Sequence, residues 1–467
     1  MKGNAKYMIL SIALAIGLCA TQIFGNAFLI LGILVAFLVL VGWSCSQNAT
    51  LLVMLFFLPW SPLLRTSPDD FSFYTFGMIF ICAISILKKE FRFKRYHIVA
   101  GILLLALTLI SKLIDGSGLS FDYIAFMVLI ILFPVVKEEW TASRYDYFQL
   151  VSFFSVGIIL AALCAQQYAN YPNIARYIRV DAYLTITRLS GFYGDPNFYT
   201  AQITAALGGC LIVILKEQNK RRITVLAVMT FLLMYCGFLS GSKSFALITG
   251  VVLVLWIIEL LRMRGRTGLK IVMLLVAMIG AIYIASSALF GGLIDVLITR
   301  FSSAKSFDDF TTGRTELWEN YLNVILTDWK VLVIGKGFTN IKVGGRSSHN
   351  TVIQMLYQFG LLGVPVLIAW TACFFRDVPR RLGMARKQVL NMLILLIGTF
   401  SPWLAIDALF FDEFFLLQMY AFMGCAQLLT QQDTIPNTTV VQADIPSSDE
   451  RTNRYTALDK AWRKQDE

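Results

Sequence analysis

The segment 311-TTGRTELWENYLNVILTDWKVLVIGKGFTNIKVGGRSSHNTVIQMLYQFGLLG-363 begins in the one long polar interval between two apolar spans in the C-terminal half of the chain. It contains His349, one of only two histidines in 467 residues. The rest of the chain is largely apolar, so it offers few other places for chemistry in contact with water. We therefore expect the remainder to be a scaffold that presents this loop, and a shorter one around Arg188, at a membrane surface.

Composition places the chain among membrane proteins. Hydrophobic residues make up 57% and charged residues 15%, and the mean hydropathy is +0.68, outside the usual range for soluble domains. Apolar runs recur from end to end, which predicts an all-α, polytopic helical bundle of about 12–14 transmembrane spans with a large extracytoplasmic loop. We expect one membrane domain over residues 1–430 and a polar, disordered cytoplasmic tail over residues 431–467.

The predicted spans follow from apolar runs that are long enough to cross a hydrocarbon core of ~30 Å. The third run is short and carries Pro59 and Pro62, so we expect it to be kinked or re-entrant. In chain order the runs are 7–24, 27–45, 50–64, 71–87, 97–114, 119–136, 148–164, 198–215, 223–239, 245–261, 271–290, 351–375, 389–406 and 409–429.

Charge predicts the orientation of the bundle. The net charge is +11, and eighteen Lys or Arg against three acids lie in four short loops, 88–95, 216–222, 262–270 and 376–387. These loops fall on one side when the spans alternate, which makes that side cytoplasmic. Both termini then lie inside, and the loops 165–197 and 291–350 lie outside. Topology accounts for the positive charge, so the expected partner is the lipid bilayer and not nucleic acid.

Arginines in the predicted outer loops are candidates for binding an anion. Arg188 precedes an Asp195-Pro196 pair that predicts a sharp helix start, and Arg314 falls in the first turn of a helix predicted to begin at Thr312 or Gly313. A guanidinium forms two parallel hydrogen bonds with a phosphate and stays protonated. The structural alternatives are a snorkelling side chain for Arg188 and a surface ion pair for Arg314.

His349 is the candidate for proton transfer. An imidazole with an ordinary pKa of about 6.5 can accept a proton from a hydroxyl at the membrane surface. The alternative is a structural histidine at the start of a span. Four further residues are predicted to bind substrate: Lys243, Asn350, Asn197 and Arg346.

Several motifs, in this order, resemble the O-antigen ligase and polymerase superfamily of bacterial membrane glycosyltransferases. The resemblance covers about the middle and C-terminal two-thirds of the chain. The motifs are RLSGFYGDPNFYTAQ (188–202), LSGSKSFAL (239–247), TGRTELWENYL (312–322), and GKGFTN followed by SSHNTVIQMLYQFGLLG (335–363).

The resemblance implies a GT-C-like enzyme in the bacterial plasma (inner) membrane. Such enzymes are metal-independent, require no cofactor, and take a glycan from undecaprenyl diphosphate at the outer face. By motif position, Arg188 and Arg314 would hold the diphosphate and His349 would activate the acceptor. Lys243 stands where an arginine is commoner in the family. The second substrate would be a glycan or lipid-linked acceptor, and other polysaccharide assembly proteins are compatible partners.

The motifs leave the acceptor open. Polymerisation of a surface polysaccharide (O-antigen, capsule or exopolysaccharide) is slightly favoured, because nothing marks a specialised acceptor-docking domain. A ligase to a lipid A core or a protein acceptor is the alternative within the enzyme class. A lipid-linked glycan flippase, a secondary transporter or a structural assembly subunit are alternatives outside it. Ion-coupled carriers usually place acids deep inside a span, and Asp122 is the nearest approach to that here.

Overall fold

The part of the chain that the computed structural model describes is built from helices joined by turns and loops, and its one β-bridge is isolated, between Val343 and Arg346. The described residues are 2–68, 70–88, 95–115, 118, 120–143, 145–178, 188–262, 269–270, 272–273, 276–277, 280, 301–302, 311, 313–337, 342–376, 378, 388–410 and 412–430. One compact unit comprises Met1–Leu429. The predicted tail, 431–467, lies outside the described residues.

The helices, in chain order, are α1 (Lys2–Phe24), α2 (Ala27–Ser46), α3 (Thr50–Phe57), α4 (Phe73–Leu87), α5 (Arg95–Asp115), α6 (Phe121–Ala142), α7 (Tyr147–Tyr168), α8 (Pro172–Ala175), α9 (Pro196–Lys216), α10 (Lys220–Leu239), α11 (Lys243–Arg262), α12 (Arg314–Thr327), α13 (Trp329–Ile334), α14 (Thr351–Phe374), α15 (Val389–Phe400) and α16 (Glu413–Thr430). Thirteen of the helices coincide with predicted spans, and α8, α12 and α13 lie in the predicted loops 165–197 and 291–350.

Eight of these helices are long and apolar enough to cross a membrane, which is compatible with a multi-pass membrane protein. They are α1, α2, α5, α7, α9, α10, α11 and α14. The expectation of 12–14 spans exceeds this number: the predicted run 409–429 forms α16, which is not among the eight, and three reasons account for the other five runs. Helices α3, α4 and α15 are short, α6 carries Asp122, Lys137, Glu138 and Glu139, and the predicted span 271–290 lies mostly outside the described residues.

Helix α9 is the centre of the bundle, with 94% of its apolar window buried. It packs against α7, α10, α11 and α15. Glycines permit the closest of these approaches, since a Cβ added at Gly398 would lie 2.8 Å from the Thr204 carbonyl oxygen. Asp195 accepts a hydrogen bond from the Asn197 backbone N–H, and Pro196 follows at the first helical position. The predicted start of this helix is therefore confirmed.

The short third span is confirmed as a kinked element. All eight residues of α3 are buried, and the helix gives way to a 3-10 turn, Leu58–Trp60, that contains Pro59. Helix α3 lies directly on α7, because a Cβ added at Gly157 would lie 2.2 Å from the Phe56 carbonyl oxygen. The Trp60 indole N–H donates to the Gly157 carbonyl oxygen at 3.1 Å and closes this junction.

The turn after α13, at Gly335 and Lys336, packs against a kink in α14. Gly360 has a φ of +60° and a ψ of −172°, which interrupts the helix. The Lys336 backbone N–H donates to the Tyr357 carbonyl oxygen at 2.8 Å beside this kink. A Cβ added at Gly335 would lie 2.3 Å from the Gln358 carbonyl oxygen, so the turn after α13 requires glycine. Helix α12 is thereby brought to the N-terminal end of α14.

We predict that Gly157→Ala destabilises the protein by about 1–3 kcal/mol, because the new methyl group meets backbone and not a flexible side chain. Thermal unfolding of the purified protein in detergent measures the effect. Gly250→Ala in α11 is the matched control, since an added Cβ there meets no described atom within 4 Å and alanine favours a helix. Equal unfolding midpoints for the two variants would contradict the close α3–α7 packing.

Candidate functional site

Six of the seven predicted site residues line one cavity of about 1530 Å3. Their closeness could not be deduced from spacing, because they come from four separate stretches of the chain. The six are Arg188, Asn197, Lys243, Arg314, Arg346 and His349. The seventh, Asn350, is not among the described lining residues. Its side-chain oxygen accepts from the backbone N–H groups of Val352 and Ile353 and caps α14.

Four helices begin at this cavity. Pro196, Lys243 and Arg314 are the first residues of α9, α11 and α12, and His349 lies two residues before α14. Each helix N-terminus carries a partial positive charge, although side chains accept hydrogen bonds from some of the first N–H groups of α9, α11 and α14. For α12, Gly313 occupies the N-cap position with a φ of +72° and makes no side-chain cap. The arrangement favours a bound anion before any side-chain charge is counted.

Charged side chains add to this preference. Seven cations and four acids are found among the described lining residues. The cations are Arg65, Arg176, Arg188, Lys243, Arg314, Lys342 and Arg346, and the acids are Asp70, Asp122, Asp195 and Asp412.

The backbone at His349 is held by a buried carboxylate. His349 has a φ of +47°, a left-handed conformation that costs a residue with a Cβ roughly 1 kcal/mol or more. Asp407, only 3% exposed, accepts a hydrogen bond from the His349 backbone N–H at 2.9 Å and another from the Ser348 hydroxyl. The Thr351 hydroxyl donates to the Ile406 carbonyl oxygen at 2.7 Å. These bonds fix the turn that points His349 into the cavity.

Helix α12 holds the same turn from the other side. The Trp318 indole N–H donates to the Ser348 carbonyl oxygen at 3.0 Å, and the Tyr321 hydroxyl donates to the Arg346 carbonyl oxygen at 2.9 Å. Leu317, Tyr321 and Ile325 form its buried face. Arg314, one turn before Leu317 on α12, is therefore fixed relative to His349. Its predicted place in the first helical turn is confirmed.

The imidazole of His349 faces a carboxylate. Its Nδ1 lies 3.4 Å from Asp195 Oδ2, close enough for electrostatic attraction and longer than a good hydrogen bond. Burial lowers the pKa of His349 below its ordinary 6.5, and the positive charges of Arg314 and Arg346 lower it further. The carboxylates of Asp195 and Asp407 oppose this effect without reversing it. The imidazole is thus neutral at pH 7, and a carboxylate beside Nδ1 favours the tautomer with its proton there, leaving Nε2 as the basic atom.

A chain of polar side chains supports Asp195. Its Oδ1 accepts from Asn197 Nδ2 at 2.8 Å. The Asn197 side-chain oxygen in turn accepts from Ser242 Oγ at 2.9 Å and from Ser244 Oγ at 3.3 Å. Asn197, predicted to bind substrate, therefore has a positioning contact as well as a place on the cavity wall.

Arg188 is tied to the serine turn before α11. Its Nε donates to the Ser240 carbonyl oxygen at 2.9 Å, and the Leu189 backbone N–H donates to the Leu239 carbonyl oxygen at 3.0 Å. The turn itself contains Gly241 with a φ of +56°. These bonds bring Arg188 and Lys243 together on one wall of the cavity.

No protein-family model matches the chain, and no curated protein matches it either. The resemblance to the O-antigen ligase and polymerase superfamily therefore stays a hypothesis based on motifs.

Two site residues were missed by sequence reasoning. No predicted role was given to Asp407, and Asp195 was predicted only to start a helix. The carboxylates of both lie at the His349 turn in the fold. The only sequence pattern pointing to Asp407 is that it lies in a short turn between two apolar runs.

We predict that the pKa of His349 lies below 6.5 and falls further in Asp195→Asn, because the substitution removes a charge that favours the imidazolium. Asparagine is also a good N-cap residue, so α9 keeps its start. NMR of histidine-labelled protein measures the titration, since the chain contains only two histidines. Asp328→Asn at the start of α13 is the matched control. A His349 pKa that rises or stays unchanged in Asp195→Asn would contradict the proposed contact.

Proposed function

We propose that this protein is a membrane glycosyltransferase that transfers or polymerises undecaprenyl-diphosphate-linked glycan units at the outer face of the bacterial plasma membrane. One observation carries the proposal. A neutral histidine with a carboxylate beside Nδ1 shares a cavity with Arg188, Arg314 and four helix N-termini. A base and an anion site in one cavity are the two requirements for moving a sugar from a diphosphate to a hydroxyl.

The cationic wall would bind the diphosphate of the donor. Arg188 and Arg314 offer planar forks for phosphate oxygens, and Lys243 and Arg346 add charge. The N-terminus of α12 lies at the same wall. These groups are fixed before the reaction, so they stabilise the charge that develops on the leaving diphosphate without having to reorganise.

His349 would act as the general base. Its Nε2 takes the proton of an acceptor hydroxyl while the hydroxyl oxygen forms a bond to the anomeric carbon. The bond from that carbon to the phosphate oxygen breaks, and its electron pair leaves with undecaprenyl diphosphate. Asp195 stabilises the imidazolium that results. No cofactor or metal enters this scheme, and a single displacement predicts inversion at the anomeric carbon.

The proposed topology extends the helical bundle to a GT-C-like arrangement with a large extracytoplasmic loop. We propose that the basic loops and both termini are cytoplasmic and that the cavity opens at the outer surface. Helices α12 and α13 then belong to the outer loop, 291–350. Polymerisation stays slightly favoured over ligation to a lipid A core or a protein.

A lipid-linked glycan flippase or secondary transporter is the second candidate, and one observation favours it. Glu413 is 1% exposed, begins α16 and accepts a hydrogen bond from Gln202 on the central helix at 3.0 Å. The neighbouring Asp412 is 8% exposed and lines the cavity. Acids buried within a membrane bundle are a frequent feature of ion-coupled carriers.

We predict that His349→Gln lowers glycosyl transfer by roughly 10²–10⁴-fold, because the base is lost. We expect Arg314→Lys to raise the KM for the donor, because a lysine keeps the charge and loses the two-pronged fork. Transfer is measured in proteoliposomes that contain the lipid-linked glycan. Arg262→Lys is the matched control for Arg314→Lys, since Arg262 is an exposed residue at the opposite end of α11 from Lys243.

Wild-type rates in both variants would contradict the assigned site. Movement of the glycan across the bilayer without formation of a glycosidic bond would instead favour the flippase or transporter.

A further inference from the structure

The cavity has a second wall that the proposed chemistry does not use. Its polar residues come from the segment between α3 and α4, the start of α6, the end of α8 and the turn before α16. Only two of its charged residues are cations, against three acids, so this wall has no net positive charge. The charged residues are Arg65, Asp70, Asp122, Arg176 and Asp412.

Arg65 supplies hydrogen-bond donors on this wall. Its backbone is held by the Gln22 side-chain amide, which donates to the Arg65 carbonyl oxygen at 2.8 Å. One terminal nitrogen, Nη1, donates to the Pro68 carbonyl oxygen at 3.0 Å. Its Nε is buried and has no hydrogen-bond partner among the described residues. That nitrogen has no surface for a ligand, but the guanidinium carries five N–H donors and lines the cavity, so donors beyond the Nη1 bond to Pro68 remain for a ligand oxygen.

Carboxylates supply acceptors beside it. Asp412 is 8% exposed and accepts from the Thr75 hydroxyl at 2.8 Å, which holds its side chain at the cavity edge. Its charge interacts with those of Arg65 and Asp122. Hydrogen-bond donors and acceptors therefore lie near one another in this part of the cavity lining.

An aromatic cluster borders the same wall. The rings of Phe71 and Phe121 are 4.5 Å apart at 81°, and those of Phe71 and Phe76 are 4.8 Å apart at 74°. Phe71 and Phe121 line the cavity, and Phe121 is 51% exposed. Aromatic rings beside hydrogen-bond donors and acceptors suit a sugar, which presents hydroxyls at its rim and C–H groups on its faces.

From this arrangement we infer that the second wall binds the acceptor glycan, by its sugar hydroxyls and ring faces. The inference rests on the proposed function and adds the acceptor's chemical class to it. A second diphosphate is disfavoured here, because three acids oppose two arginines. The volume, about 1530 Å3, exceeds the roughly 300–1,000 Å3 of a site for one small ligand, so both substrates can be present together.

The experiment uses the full-length protein in nanodiscs. The probe is the host's lipid-linked oligosaccharide, freed of lipid and diphosphate by mild acid, and calorimetry measures its binding. We expect the double variant Phe71→Leu/Phe121→Leu to weaken binding about tenfold, since leucine fills space without offering a flat face. Asp122→Asn should weaken it less. The matched control is Phe24→Leu/Phe28→Leu, two exposed aromatics at the α1–α2 turn.

Transfer kinetics separate this inference from the proposed function. In the Phe71/Phe121 double variant, we expect the KM for the acceptor to rise about tenfold and the KM for the donor to stay unchanged. A further outcome is that wild type transfers no sugar but binds the glycan, and that the double variant binds it more weakly. That outcome would support glycan binding at the second wall and refute the transferase function.

Two results would overturn the inference. One is glycan binding that is the same in wild type and the double variant, whether or not sugar transfer occurs. The other is a double variant that loses both glycan binding and thermal stability, together with an Asp122→Asn variant that binds the glycan as wild type does. That pair of results would mean that the aromatic cluster serves only packing.

Discussion

The geometry of the site depends on one buried carboxylate. Asp407 accepts hydrogen bonds from Ser348 and from the His349 backbone, and it holds that backbone in a left-handed conformation that is costly for a residue with a side chain. The bonds come from the segment that leads into α14, whereas Asp407 lies between α15 and α16. Loss of this contact would leave a charge buried without partners and would release the histidine from its place opposite Asp195.

The cavity is polarised by the way in which the helices end. Helices α9, α11, α12 and α14 all begin at it, so their N-termini and the arginines beside them favour negative charge at one wall. The segment between α3 and α4 and the start of α6 form the other wall, where acids balance arginines and aromatic rings are exposed. In the proposed reaction the leaving diphosphate occupies the first wall and the attacking sugar occupies the second, with His349 at the first.

The sequence predicted the local parts of this structure well. Apolar runs located thirteen helices, and capping residues located the starts of α9 and α12. Helix length and polarity reduced the spans to eight among the described residues, because a helix such as α6 extends beyond its predicted run and carries four charged side chains. The contacts of Asp407 and Asp195 with the His349 turn were not predictable, since periodicity and capping describe neighbours in the chain and these pairs meet only in the folded bundle.

A cryo-EM map of the protein with bound undecaprenyl diphosphate would test the central claim most directly. The account predicts phosphate density between the side chains of Arg188 and Arg314, at the N-terminus of α12 and on the same side of the cavity as His349. Phosphate density beside Arg65 and Arg176, or outside the cavity, would contradict the assignment of the two walls and of the arginines that hold the leaving group.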